Sequence, residues 1–186
     1  MRRIRVIAIF VLLMYVLAGC NEKKAKTTEI RGIGEADSIA VEDSTIYGKC
    51  GEGTAMHTLE LVGDDGSVHY YMINLDDSLF GVFGGLLAGD RLAVISHVEY
   101  GDTFAKKVIN LTSLEGKWAS IDRNFEIKEG GVVKSNMDAE STPWTSWRIQ
   151  NGMLLLNKDI FDIIELGADS MYLENEDGVY GFKRLH

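Results

Sequence analysis

The chain has 186 residues, enough for one domain of ordinary size or two small ones. Its composition, with 46% hydrophobic and 25% charged residues, allows a buried core and argues against a wholly disordered chain. The formal charge of −9 argues against a nucleic-acid partner, which would require clustered lysine and arginine. Two cysteines are too few for a disulfide-rich scaffold or for a zinc site with four thiolate ligands.

The first residues have the pattern of an export signal. Arg2, Arg3 and Arg5 give a basic start, and an unbroken apolar run follows from Val6 to Ala18. A stable helix needs roughly 20 residues to span a bilayer, so this run is too short for one. Its length is typical of the central region of a cleaved signal peptide.

The apolar run ends in Leu17-Ala18-Gly19-Cys20, which resembles the lipobox of bacterial lipoproteins. The resemblance implies cleavage before Cys20, a diacylglycerol on its sulfur and acylation of the new amino group. Several acyl chains anchor a protein stably to a lipid bilayer, where one chain is marginal. Asn21 follows in place of the aspartate that retains many lipoproteins in the inner membrane, which implies the outer membrane, on either face. The alternatives are a plain secretory signal or an uncleaved anchor with a chance cysteine.

Cleavage would change both the charge and the thiol count. Removing residues 1–19 leaves 167 residues and takes away three arginines and no acid, so the charge falls from −9 to −12. Cys50 then remains as the one unmodified thiol, either a small buried hydrophobic residue, a reactive group or a partner in an interchain disulfide. Residues 20–45 are polar without apolar periodicity and are predicted to form a flexible tether.

Short apolar runs separated by glycine turns predict a small β-barrel or sandwich over residues 46–112. Asp64–Ser67 is predicted as a hairpin turn, and the glycine-rich run Leu79–Leu87 as a loop or distorted turn. The run Gly89–Val94 is similar to strand openings of OB-type barrels. The predicted strands are Met56–Val62, Val68–Leu75, Arg91–Val98 and Thr103–Leu111.

Residues 113–186 predict a second all-β domain made of short strands joined by tight turns. Asn124–Lys128 alternates between apolar and polar residues, as expected for a strand with one buried face. Asn151-Gly152 is a typical two-residue hairpin turn between Thr145–Gln150 and Met153–Leu156. The pattern continues to Phe182 and predicts an antiparallel up-and-down meander that closes, or nearly closes, into a barrel.

The second domain opens with Gly116-Lys117-Trp118, and Trp147-x-Ile149-x-x-Gly152-x-Leu154 follows. Together with the lipobox, these motifs resemble the small lipocalin-like domains of bacterial lipoproteins. The resemblance implies a β-barrel that, in larger members, holds an apolar ligand. The strands of this chain are short, however, and a short barrel is usually filled by its own side chains.

Three tryptophans are the candidate ligand-binding residues. Trp118 and Trp147 lie on predicted strands at inward positions, which favour core packing over contact with a ligand. Trp144 follows Pro143 outside the regular alternation. It is predicted either at a barrel mouth or exposed loop, where aromatics contact sugars, lipids or proteins, or packed against the preceding turn.

The other motifs do not indicate a phosphate-binding, metal-binding or catalytic site. Gly48–Thr54 has the glycines of a phosphate-binding loop but neither the spacing nor the following helix, so a glycine-bent strand entry is expected. His57, His69 and His97 are each isolated on predicted strands, and the acidic clusters lack calcium-loop spacing, so no metal or other cofactor is predicted. No nucleophile elbow or paired carboxylates indicate an enzyme.

The sequence therefore favours a non-enzymatic lipoprotein anchored to the outer membrane through Cys20, with two small β-domains. Its expected partners are the lipid bilayer and a small apolar or glycan ligand. The alternative function is a structural or assembly module with solid barrels that docks another envelope protein. A third possibility is an enzyme that acts through Cys50. A cavity inside a barrel favours a carrier, and a packed interior favours an interaction module.

Overall fold

The computed structural model describes residues 42–74, 80–137 and 141–186. The predictions for the signal peptide, for Cys20 and for most of the tether lie outside these residues. Within them the chain is all-β, as its alternation predicts, and forms two barrels joined by one short helix, α1 (Leu111–Leu114).

The first barrel closes through a parallel strand pair. Its strands are β1 (Ile46–Cys50), β2 (Thr58–Gly63), β3 (Val68–Met72), β4 (Gly81–Phe83), β5 (Arg91–Glu99) and β6 (Asp102–Asn110). The antiparallel order is β3-β2-β1-β5-β6, and Met72 pairs in parallel with Phe104 to join β3 to β6. This order, with its parallel closure, is the arrangement of an OB-type barrel.

The strand β4 corrects one sequence prediction. It lies inside Leu79–Leu87, where the sequence predicts a loop or distorted turn, and pairs in parallel with the end of β6. The glycines conceal this strand because they dilute its apolar pattern. Gly84 and Gly85 have φ values of +88° and +80°, which end β4 by a turn that residues with a side chain rarely adopt.

The second barrel is an antiparallel meander, as predicted. Its strands are β7 (Gly116–Ala119), β8 (Asn124–Lys128), β9 (Val132–Ser135), β10 (Trp147–Gln150), β11 (Met153–Leu156), β12 (Asp159–Leu166), β13 (Ser170–Asn175) and β14 (Gly178–Leu185). The last strand pairs with the first, β14 with β7. A single bridge, Val132 with Ser146, joins β9 to the residues before β10, so the barrel is nearly closed. Asn151 and Gly152 have φ values of +49° and +77°, as the predicted hairpin turn requires.

The two barrels share part of their apolar packing, and the described residues all belong to one compact unit. Leu92 and Val94 of β5 point into the first barrel, whereas Ala93 between them packs with the core of the second. On β6, Val108 likewise packs in the core of the first barrel, and Ile109 packs in the core of the second. Alternation along a strand puts successive side chains on opposite faces, so consecutive apolar residues are buried where both faces are covered.

Polar contacts add to this junction. The Asn151 backbone N–H lies 3.0 Å from Asp43 Oδ1 and 2.9 Å from Thr45 Oγ1, and Ser44 donates to the Asn151 side chain. Residues 43–45, which the sequence placed at the end of the tether, are thus hydrogen-bonded to the second barrel. Lys107 of β6 forms an ion pair with Asp162 of β12.

A cleft between the two barrels

The interior of the second barrel is filled by its own side chains. Inward residues from all eight strands pack into one cluster, which includes Trp118, Phe125, Leu154 and Met171, each at most 2% exposed. The first barrel has its own cluster around Leu59 and other buried aliphatic residues. Short strands enclose a short interior, and bulky side chains occupy it.

The three predicted tryptophans lie in different environments. Trp118 is fully buried, donates its indole N–H to the Leu114 carbonyl at 2.9 Å, and has the Arg184 guanidinium 4.1 Å above its ring. Trp144 is also buried, and its indole N–H donates to an Asp159 carboxylate oxygen at 2.8 Å. Trp147 lies at the wall of a cleft. Contact of these indoles with a ligand stays a prediction.

The cleft opens between the two barrels and has a volume of about 590 Å³. Binding sites for small molecules usually have volumes of about 300–1,000 Å³, with apolar walls and a few polar groups. Three parts of the chain line it: the β1–β5 face of the first barrel, α1, and the β8–β9 turn with β10 of the second barrel.

The first wall carries Tyr47, Lys49 and Arg91. Lys49 and Arg91 are direct cross-strand partners of β1 and β5, and Tyr47 lies two residues before Lys49, so the three side chains share one face of the sheet. Arg91 donates to both carboxylate oxygens of Asp64, with Nη2 and Oδ2 2.6 Å apart. This bidentate pairing fixes Arg91 and partly neutralises it.

The second wall is built from the β8–β9 turn and β10. Gly131 has φ of +81°, and its carbonyl accepts a hydrogen bond from the Trp147 backbone N–H at 2.8 Å. A Cβ on Gly131 would lie 3.0 Å from the Trp147 carbonyl, so glycine allows this close approach. Trp147 donates its indole N–H to the Lys128 carbonyl at 2.7 Å, and Tyr47 donates its hydroxyl to the Ile149 carbonyl at 2.6 Å.

The helix α1 forms the end of the cleft. Asn110 caps it by accepting a hydrogen bond from the Ser113 N–H at 2.9 Å, and Thr112 faces the cleft. Glu115 follows the helix and is partly buried. Burial, together with the nearby charge of Glu129, raises the pKa of Glu115 above its ordinary value.

Charges of both signs line the cleft. Burial and the charge of Asp43 raise the pKa of Tyr47, which keeps its hydroxyl protonated as a donor. Lys49 and Arg148 are exposed cations, and Glu129 is an exposed carboxylate on the β8–β9 turn. The cleft therefore offers cations, carboxylates, a hydroxyl and an aromatic edge, a set suited to hydrogen bonding and ion pairing with a polar ligand.

Sequence reasoning missed most of this site. Lys49 attracted attention only within the glycine-rich run 48–54, and the structure places it on β1 and Gly51 immediately after that strand. Glu115, Glu129 and Arg148 gave no signal, because their segments meet only through the packing of the barrels. The Gly116-Lys117-Trp118 motif does mark the start of the second barrel, and Glu115 directly precedes this motif.

The remaining candidates lie elsewhere. Cys50 is 3% exposed, with its sulfur 3.4 Å from Thr54 Oγ1. His97 stacks on Phe104 with ring centroids 5.6 Å apart, and His69 contacts Ser67. Among residues 42–74, 80–137 and 141–186, no group of three or more potential metal ligands is found. In the same described ranges, no helix has the length and apolar character needed to cross a membrane.

Comparison with known proteins gave no match: no family model, curated protein or solved structure is similar to this chain.

Proposed function

We propose that the chain is a non-enzymatic lipoprotein of the cell envelope that binds a glycan ligand in the cleft between its barrels. The observation that carries this proposal is the contrast between the filled barrel interior and the open, mixed-polarity cleft. A carrier of a large apolar ligand would need an apolar cavity in the barrel, and the side chains of the second barrel occupy that space.

The cleft favours a hydroxyl-rich ligand over a lipid tail. Tyr47 and Trp147 provide aromatic side chains, and Thr112 and the charged side chains provide donors and acceptors. Sugar rings combine apolar faces with many hydroxyl groups, which such a lining can satisfy. The volume of about 590 Å³ is sufficient for one or two sugar rings.

The anchor is tested by metabolic labelling with palmitate. We expect label on the wild-type chain and none on Cys20→Ala, because acylation requires the thiol and the amino group of that residue. Cys50→Ala is the matched control and keeps its label, since Cys50 is buried within the first barrel. Equal labelling of the wild type and Cys20→Ala contradicts the anchor.

The ligand site is tested with a panel of monosaccharides and disaccharides, titrated into the full chain in detergent micelles. Trp147 at the cleft wall makes intrinsic fluorescence a suitable readout. Lys49→Ala changes the cleft, whereas Lys106→Ala removes an exposed lysine of β6 outside the cleft lining and serves as the control. A response that is equal in both variants, or absent for every sugar, contradicts the proposal.

The second candidate is an assembly module that docks an envelope protein, and one further observation favours it. The outer face of β12, β13 and β14 exposes Ile160, Ile164, Tyr172 and Val179, each at least 43% accessible. Clustered exposed apolar side chains mark protein contacts in soluble domains. A crosslinked envelope complex that is lost in Tyr172→Ser with Val179→Ser, and kept in Lys49→Ala, would support this function over glycan binding.

A further inference from the structure

Opposite charges line the cleft without pairing with each other. Lys49 and Arg148 carry positive charge, and Glu115 and Glu129 carry negative charge. Over the described ranges, none of these four side chains forms an ion pair or a side-chain hydrogen bond. Arg91 differs, because the carboxylate of Asp64 already binds its guanidinium. Lys49 lies near Asp64, Arg148 near Asp43 and Glu129 near Arg91, but these are interactions at longer range than an ion pair.

These charges lie on different elements. Lys49 is on β1 of the first barrel, and Arg148 is on β10 of the second. Glu115 follows α1, and Glu129 begins the turn between β8 and β9. Burial is the larger cause of the raised pKa of Glu115, and the negative charge of Glu129 raises that pKa further. Among the described residues, no cation lowers the pKa of Glu115 in opposition to Glu129.

Such an arrangement of charges costs free energy. Two nearby carboxylates repel each other, and a partly buried one is also poorly hydrated. An ammonium group would relieve the repulsion, and an anionic group could form charge-assisted hydrogen bonds with Lys49 and Arg148. A ligand with both groups would interact favourably with the carboxylates and with the cations at once.

We propose that the cleft binds a zwitterionic saccharide, whose ammonium group contacts Glu115 and Glu129 and whose phosphate or carboxylate contacts Lys49 and Arg148. This inference rests on the proposed function, since it requires that the cleft is the glycan site. The inference adds that the ligand carries both a positive and a negative group, whereas a neutral sugar carries neither.

The test uses four related sugars with the full chain in detergent micelles, followed by calorimetry and tryptophan fluorescence at low salt. Glucosamine 6-phosphate carries both charges, N-acetylglucosamine 6-phosphate lacks the ammonium, glucosamine lacks the phosphate, and N-acetylglucosamine lacks both. We expect glucosamine 6-phosphate to bind about tenfold more tightly than either singly charged sugar, as for partly exposed charged hydrogen bonds. Glycylglycine is a fifth probe, a zwitterion without a sugar ring, and is expected to bind more weakly.

Variants assign each charge to its partner in the cleft. Glu115→Gln is expected to remove the preference for glucosamine 6-phosphate over its N-acetyl analogue and to keep the preference for phosphate. Lys49→Gln is expected to do the reverse, which forms a double-mutant cycle between protein and ligand. Glu174→Gln and Lys106→Gln, at exposed sites outside the cleft lining, are the matched controls and leave all affinities unchanged.

Each other outcome overturns a defined part of the argument. If N-acetylglucosamine binds as tightly as glucosamine 6-phosphate, the requirement for a zwitterionic ligand is wrong, but the cleft is still a glycan site. If glycylglycine binds as tightly, recognition of a saccharide is wrong. If the four sugars fail while another sugar of the panel binds, the inference alone is wrong. If no sugar binds at all, both the inference and the proposed function are wrong.

Discussion

Arg184→Ala is expected to destabilise the chain strongly, because Arg184 joins the last strand of the second barrel to the helix between the barrels. Its guanidinium donates to the Glu115 carbonyl at 2.8 Å, to the Ala168 carbonyl at 2.6 Å and to the Ser113 carbonyl. It also covers the ring of Trp118. The substitution removes all four contacts at once.

The magnitude follows from these contacts. A hydrogen bond from a charged donor contributes about 1.5–3 kcal/mol, and less where the groups are partly hydrated. A cation–π contact adds about 0.5–2 kcal/mol. Allowing for the partial exposure of Arg184, we expect a loss of about 3–5 kcal/mol in the free energy of unfolding. Such a loss is a large part of the about 5–15 kcal/mol that stabilises a typical domain.

The assay is urea unfolding of the full chain, followed by tryptophan fluorescence and circular dichroism. Lys183→Ala, at the preceding exposed position on the same strand, is the control and should change stability by at most about 0.5 kcal/mol. Arg184→Lys keeps the charge but cannot reach three carbonyls with one planar group, so an intermediate loss is expected. A loss below about 1 kcal/mol for Arg184→Ala would refute the reasoning.

Three further predictions address the core, the junction and the cleft. Leu154→Ala in the filled barrel should cost about 2–5 kcal/mol in urea unfolding, whereas Ile160→Ala, 54% exposed, should cost at most about 0.5 kcal/mol, and equal losses would contradict a packed interior. Asp162→Asn leaves the ammonium of Lys107, whose side chain is 18% exposed, without its carboxylate, so thermal or urea unfolding should show a loss of about 1–3 kcal/mol. Because burial and a neighbouring carboxylate raise the folded pKa of Glu115 above its ordinary 4.5, its ionisation opposes folding as the pH rises. Glu115→Gln should therefore match the wild type below about pH 4 and exceed its stability at pH 7 by up to about 1 kcal/mol, and a loss at pH 7 would contradict this.

The local structure of the second barrel could be predicted because each strand carries its own signal. Phe125 and Ile127 alternate with polar residues, and Asn151-Gly152 has the backbone preferences of a tight hairpin turn. These features depend on neighbours in the sequence. A meander of sequential hairpins then follows without long-range information.

The cleft could not be predicted, since it depends on how the barrels pack. Ala93 and Ile109 point out of the first barrel and into the core of the second, and nothing local distinguishes them from residues of the first core. Lys49 and Glu129 are 80 positions apart in the sequence and line one cleft only after this packing. The burial of Trp144 could not be predicted for the same reason, because it depends on Asp159 and on aromatic rings from other parts of the chain.

The most direct test of glycan binding in the cleft is amide chemical-shift mapping of the full chain with the sugar of the panel that binds most tightly. We predict that the largest changes occur at the backbone amides of Gly89, Gly130 and Gly131 and at the indole N–H of Trp147, which belong to four residues that line the cleft. The indole N–H of Trp118, bonded inside the second barrel, should not change. Changes centred on Trp118, or absent from the four cleft positions, would contradict the proposed site.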